Sequence, residues 1–169
     1  MKQKRKFLLA LIVLSLVALF PPLLADEPQE HIAVLDLEGS LSEGEALTLT
    51  DRLIGILTET DEFVVVERAQ MQEILKEQGF QQTGCVSTEC AVEAGQLIGV
   101  QHVVHGSIGK LEDLHVITVK LVDVRTGLIE KSISRDVRAT LTSVLQDVIP
   151  EIAVRLVASE AQPGEPPAE

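Results

Sequence analysis

The apolar and polar positions of the chain fall into runs of period two and runs of period three to four. His31–Leu37 (HIAVLDL) is β-type and mostly apolar, the pattern of a strand covered on both faces, and Gly39 ends it. From Ser42 to Thr58, Leu49, Leu53, Ile56 and Leu57 recur at spacings of three and four, which predicts a helix with Ser42 as its N-cap. Phe63–Val66 predicts a second, short strand. Ala69–Gln78 predicts a second helix with Met71, Ile74 and Leu75 on one face and Gly79 closing it. A turn at Gly84 leads into a third helix, Ser87–Ile98, ended by Gly99. Its stripe of Cys90, Ala91, Ala94, Leu97 and Ile98 is small enough for close packing.

Three strands then follow with no helix between them: His102–Ile108, His115–Val124 and Leu128–Val137. In the second, Ile117, Val119 and Leu121 point to one face, Thr118 and Lys120 to the other. In the third, Ile129, Ile133 and Val137 are expected to share a face. Arg125-Thr126-Gly127 joins the pair, with a glycine able to supply positive φ. A last helix spans Thr140–Val157, with Leu141, Leu145, Val148, Ile152 and Leu156 inward. Pro150 should kink or split it, because proline lacks the backbone donor and clashes with the preceding turn. The order β-α-β-α-α-β-β-β-α predicts an α/β layered sandwich with a mixed β-sheet.

The ends of the chain have other compositions. Residues 1–25 read as a signal peptide: a basic stretch Met1–Lys6, then Phe7–Phe20, 14 residues in which only Ser15 is polar. Pro21 and Pro22 follow, and Ala25 offers a small residue before Asp26. A membrane-spanning helix needs about 20 apolar residues, so cleavage is expected, with a retained anchor as the alternative. No cysteine follows the apolar run, so the lipid-attachment signal of bacterial lipoproteins is missing. Residues 26–30 read as a linker and 158–169 as a disordered tail rich in proline and glutamate. Residues 31–157 remain as one folded domain.

Charge sharpens this division. The 169 residues hold 14 Lys+Arg and 26 Asp+Glu, a net charge of −12. Four of those 14 bases lie in the leader, so the remainder carries 10 bases against 26 acids, a net −16. Such a surface works against nucleic acid and anionic lipid. With neither Trp nor Tyr, and only Phe63 and Phe80 beyond the leader, base-stacking platforms and aromatic cages are excluded as well.

Candidate chemistry is sparse. The chain has no phosphate-binding glycine loop and no Gly-x-Ser-x-Gly elbow. His102 and His105, three apart on one predicted strand, face opposite sides of the sheet and cannot share a metal without a bulge. Carboxylate or cysteine partners for them are absent from the pattern, and His31 and His115 sit at strand starts, where a polar residue is expected to meet solvent. Cys85 and Cys90 lack the Cys-x-x-Cys spacing, and two cysteines alone make no zinc site. In an oxidising compartment the pair is expected to form a disulfide, worth ~1–3 kcal/mol for so small a loop. The alternative is two small hydrophobic residues, with Cys90 in the core stripe. No set of residues supplies a nucleophile, a base and an orienting group together. We therefore expect no enzyme, no cofactor and no metal.

The local wording carries a resemblance. Ile32-Ala33-Val34-Leu35-Asp36-Leu37-Glu38, then Phe63-Val64-Val65-Val66-Glu67-Arg68 with Gln70, Glu73-Ile74-Leu75 and Glu77-Gln78-Gly79, resembles the CsgG family of curli-type secretion and outer-membrane assembly components. The likeness continues through Cys90–Val100 and Val103–Ile108 and closes at Lys120–Gly127. It implies a periplasmic α/β domain similar to the N-terminal domain of TolB and to lipoproteins that activate penicillin-binding proteins. It also implies a non-catalytic role in envelope assembly or secretion, with envelope proteins as partners and homo-oligomers as an expected state. The alternatives are an accessory activator of cell-wall synthesis and, from another class, a thiol-redox or metal enzyme at Cys85/Cys90 or His102/His105. Two departures from the family's secretion pores stand out: the lipid-attachment cysteine is absent, and Lys131 falls on the same predicted face as Ile129 and Ile133. A lysine on a lipid-facing strand costs roughly 2–4 kcal/mol at mid-bilayer, so no membrane insertion of the folded domain is expected.

Overall fold

The computed structural model describes residues 29–80 and 87–158. The predicted signal peptide, most of the predicted linker, the turn predicted at Gly84 with Cys85, and nearly all of the predicted tail lie outside the described residues. Among those described, no helix is long and apolar enough to cross a membrane.

The predicted first strand stops short as β1 (His31–Val34), and a separate two-residue strand, β2 (Glu38–Gly39), follows beyond its predicted end. Leu35 still donates to the Val104 carbonyl at 2.9 Å. The amide of Leu37, however, is taken by the Thr50 hydroxyl at 3.1 Å, which interrupts the ladder until β2. Helix α1 (Glu43–Glu59) starts where the pattern placed it. Ser42 accepts from the Glu45 amide while the Glu45 carboxylate accepts from Ser42, a complete capping box. A two-residue strand, β3 (Val64–Val65), precedes α2 (Arg68–Glu77), and α3 (Thr88–Ile98) ends at Gly99, whose φ is 83°.

The three long strands are β4 (His102–Leu111), β5 (Leu114–Asp123) and β6 (Ile129–Arg138). The sheet order is β3-β1-β4-β5-β6, with β2 also beside β4. Strands β1, β2 and β3 pair in parallel; β4–β5 and β5–β6 are antiparallel. The sheet is therefore mixed, as the element order predicted.

Period-two alternation sends the sheet's two faces into two cores. Ile32, Val34, Val104, Ile117, Val119 and Leu121 pack with Leu49, Leu53 and Leu57 of α1 and with the C-terminal helix. Ala33, Leu35 and Val103 pack on the other side with Met71 and Leu75 of α2 and Ala91 and Ala94 of α3. The small-residue stripe of α3 has a geometric reason. A Cβ built on Gly95 would lie 2.5 Å from Val124 Cγ2 and 2.6 Å from Val103 Cγ2.

One local expectation is met by an unforeseen route and another is corrected. The last helix is divided just ahead of Pro150, into α4 (Leu141–Ser143), a π-helical turn (Val144–Val148) and α5 (Ile149–Val157). The Ile149 amide reaches back to the Val144 carbonyl, and this wider turn puts Pro150 in the first turn of α5, where the missing donor is not needed. Second, Ile129 does not share a face with Ile133 and Val137. Leu121 pairs with Lys131 but Val122 pairs with Ile129, so Glu130 is an extra residue in a β-bulge. The bulge turns Ile129 to the face of Val122, where it is 45% exposed.

Candidate functional site

His102 opens β4 and is paired with Ile32 of β1 and with Asp123, the last residue of β5. Directly opposed residues of an antiparallel pair project on one face, so Asp123 stands beside the imidazole. The bulge of β6 adds Glu130, whose Oε2 lies 3.1 Å from His102 Nε2. From just before β1, Glu30 comes to the other ring nitrogen, its Oε2 3.3 Å from Nδ1. The ring itself is 6% exposed and lies against Phe63, with ring centroids 5.3 Å apart. A cleft of about 430 Å³ runs between this cluster and Leu156 and Val157 of α5. Lys131 also lines it, but its ammonium donates to the Ala158 carbonyl.

The carboxylates around His102 therefore come from β-pairing, not from neighbouring sequence. Asp123 has a second task at the same place. Its Oδ1 accepts from the Thr126 amide at 2.6 Å and the Thr126 hydroxyl at 2.8 Å, which holds the β5–β6 turn. Those hydrogen bonds, the backbone one first, lower its pKa below the ordinary 3.8. Gly127 then supplies the positive φ, 70°, that the turn requires.

His105 is on the opposite face, as the strand period predicted, and is 1% exposed. It pairs with Lys120 of β5, and neither ring nitrogen has a hydrogen-bond partner. Burial lowers its pKa below 6.5, and the adjacent Lys120 ammonium adds to the effect against a smaller opposing pull from Glu89. His115, near the start of β5, is likewise buried with no hydrogen-bond partner at either nitrogen. His31 is exposed. The four histidines thus occupy four separate settings. Cys90 is half-buried on the first turn of α3, its amide donating to Ser87 Oγ at 3.2 Å. Cys85 lies outside the described residues, so the pairing stays a proposal.

The two stretches that carry the family resemblance meet through an ion pair. Arg68 at the start of α2 binds Asp36, in the gap between β1 and β2, and also Asp51 of α1. Its Nε donates to Asp51 Oδ1 at 3.1 Å. On the surface, Leu111 and Leu128 are 70% and 66% exposed, at opposite ends of the β4–β6 meander, and Val154 of α5 is 54% exposed. Strand β6 ends the sheet.

The family described as "Curli production assembly/transport component CsgG" matches residues 37–116, from the residue before β2 into β5. The resemblance read from the sequence stands over that span. No curated protein matches the chain in sequence. Among solved structures, the LpoB C-terminal domain from Salmonella enterica is 21% identical with a TM-score of 0.55, covering 66% of this chain and 84% of that one. A lipoprotein from Neisseria meningitidis is 19% identical at a TM-score of 0.56, covering 73% and 96% respectively. The PelC dodecamer from Paraburkholderia phytofirmans is 16% identical at 0.52, covering 78% and 90%. At these identities the likeness is one of fold, and it agrees with the mixed-sheet α/β sandwich found here.

Proposed function

We propose that this chain, CsgG-like over residues 37–116, is a non-catalytic module exported to the cell envelope, acting in assembly or secretion through protein–protein contacts that include contacts between its own copies. The observation that carries the reading is the family match laid onto this fold. The matched span takes in α1, α2, α3 and the central strand β4, so it reaches into both cores and is not one surface motif. The dodecameric state of PelC, a protein of the same fold, favours self-association. Exposed Leu111, Leu128 and Ile129 on the meander give apolar surface for such contacts. A net charge of −12 disfavours nucleic acid and anionic lipid as partners.

The test is the mass of the protein isolated from the envelope without detergent, by native mass spectrometry and light scattering over a range of concentrations. A discrete multiple of the chain mass is the expected result, with the leader removed after Ala25. A monomer at every concentration sinks the self-association, and a subunit that retains Met1 sinks the cleavage.

A further inference from the structure

We propose that His102, Glu130 and Asp123 form a binding site for one divalent transition-metal cation of the zinc class, with Glu30 orienting the imidazole. His102 Nε2, an Asp123 carboxylate oxygen and a Glu130 carboxylate oxygen all lie within 4.8 Å of one another. The closest pair, Nε2 and Glu130 Oε2, is 3.1 Å apart. A tetrahedral zinc ion sits about 2.0–2.1 Å from nitrogen or oxygen ligands, which places neighbouring ligand atoms roughly 3.3 Å from one another. The observed separation is close to that before any side chain moves. Small rotations of the half-buried Asp123 and exposed Glu130 side chains bring in the third ligand, and the cleft beside Phe63 leaves room for a water as the fourth.

The second observation is the other ring nitrogen. His102 is 6% exposed, and its Nδ1 has no hydrogen-bond partner although Glu30 Oε2 is 3.3 Å away. A neutral imidazole carries one N–H and one lone pair, whereas carboxylates only accept. With a carboxylate at each nitrogen, Nε2 and Nδ1 both face acceptors, and in the ring's neutral form one of those nitrogens offers only a lone pair. A cation at Nε2 resolves the conflict: it takes the Nε2 lone pair, and the Nδ1–H turns to Glu30. A carboxylate behind a metal-bound histidine is the recurring way of fixing the tautomer and ring orientation. Asp123 is also prepared for the role, since Thr126 engages only its Oδ1.

The donor set points to the class of ion. One imidazole with carboxylates suits zinc and its neighbours in the first transition row, while calcium and magnesium prefer all-oxygen shells. Three carboxylates gathered round one imidazole favour a cation; the Lys131 ammonium that lines the cleft is engaged by Ala158, and the Arg125 charge acts on Asp123. The ion would join the residue before β1, the start of β4, the end of β5 and the bulge of β6. It is a clip between segments and carries no catalytic step.

The experiment is calorimetric titration of zinc chloride into the untagged, metal-stripped full chain at pH 7.5, with histidine ring nitrogens followed by NMR. One equivalent of saturable zinc and a shift of the His102 Nε2 resonance are expected. Glu130→Gln, a half-exposed position where folding is not at risk, should weaken binding at least tenfold. Glu30→Gln should weaken it by a similar factor while zinc still reaches Nε2. His31→Gln, outside the cluster, should change nothing. Non-saturable binding, binding that Glu130→Gln leaves intact, or zinc that shifts His31 and not His102 would overturn the site.

Discussion

The contact between Arg68 and Asp36 is the point at which the two family-like stretches can be tested energetically. The Arg68 side chain is 17% exposed and that of Asp36 29%, so neither charge is fully solvated. At an effective dielectric of about 20, opposite unit charges some 4 Å apart attract by roughly 4 kcal/mol. Partial desolvation of both groups and the residual exposure of Asp36 remove most of that, leaving a net coupling of about 1–2 kcal/mol. The Asp51 contact, with that side chain 60% exposed, adds only ~0.2–0.5 kcal/mol. A double-mutant cycle of Asp36→Asn and Arg68→Met, read by urea denaturation, isolates the pairwise term. Asp36→Asn should cost about 1–2 kcal/mol, Arg68→Met about 2–3 kcal/mol, and the double variant little more than Arg68→Met alone. A coupling below about 0.3 kcal/mol would show an ordinary surface pair. The idea that Asp36 and Arg68 tie β1 to α2 would then fail.

Three further outcomes follow from the packing and the buried groups. Gly95→Ala drives a methyl into Val103 and Val124 and should lower stability by about 1–3 kcal/mol, seen as a fall in Tm. If Tm is unchanged, α3 stands further from the sheet than described. His105 is held below its ordinary pKa of 6.5, so the unfolded chain takes up a proton there before the folded one does. Stability is then full above pH 6.5 and should fall as pH drops below it, by up to about 1.4 kcal/mol per pH unit. Denaturation of His105→Leu across the same range should lack this component of the slope; an unchanged slope refutes the assignment. Finally, thiol titration of the unreduced, unfolded protein should find no free thiol; two reactive thiols would refute the proposed Cys85–Cys90 bond.

Much of the fold was legible because local chemistry and tertiary packing agree. The capping box at Ser42 and Glu45, the apolar stripe from Leu49 to Leu57 and the alternation of Ile117, Val119 and Leu121 each say locally what the cores then use. At the first strand the reading fell short because a partner far along the chain decided the outcome: Thr50, 13 residues beyond Leu37, captures the Leu37 amide. The division at Pro150 was legible, but the π-turn that makes it was not, since no local residue type announces such a turn. The bulge at Glu130 shows only in the pairing: Lys131 keeps the face of Ile133, opposite Leu121, while Ile129 changes side.

That single inserted residue also explains why the His102 cluster could not be read from spacing. Glu30 lies 72 residues before His102, and Asp123 and Glu130 lie 21 and 28 after it. Strict alternation from Ile133 would have carried Glu130 to the far face of the sheet, away from the imidazole. The extra residue changes that parity for every position of β6 on its N-terminal side, so that Ile129 turns out to solvent while the Glu130 carboxylate reaches Nε2. Bulges re-aim side chains at the cost of ladder hydrogen bonds. Here the re-aimed group is an acid directed at a buried histidine that already has an acid at its other nitrogen. Packing alone gives no reason to bring a third carboxylate to that ring, because each acid added to the cluster raises the mutual repulsion of the others. A cation between them turns the repulsion into ligation.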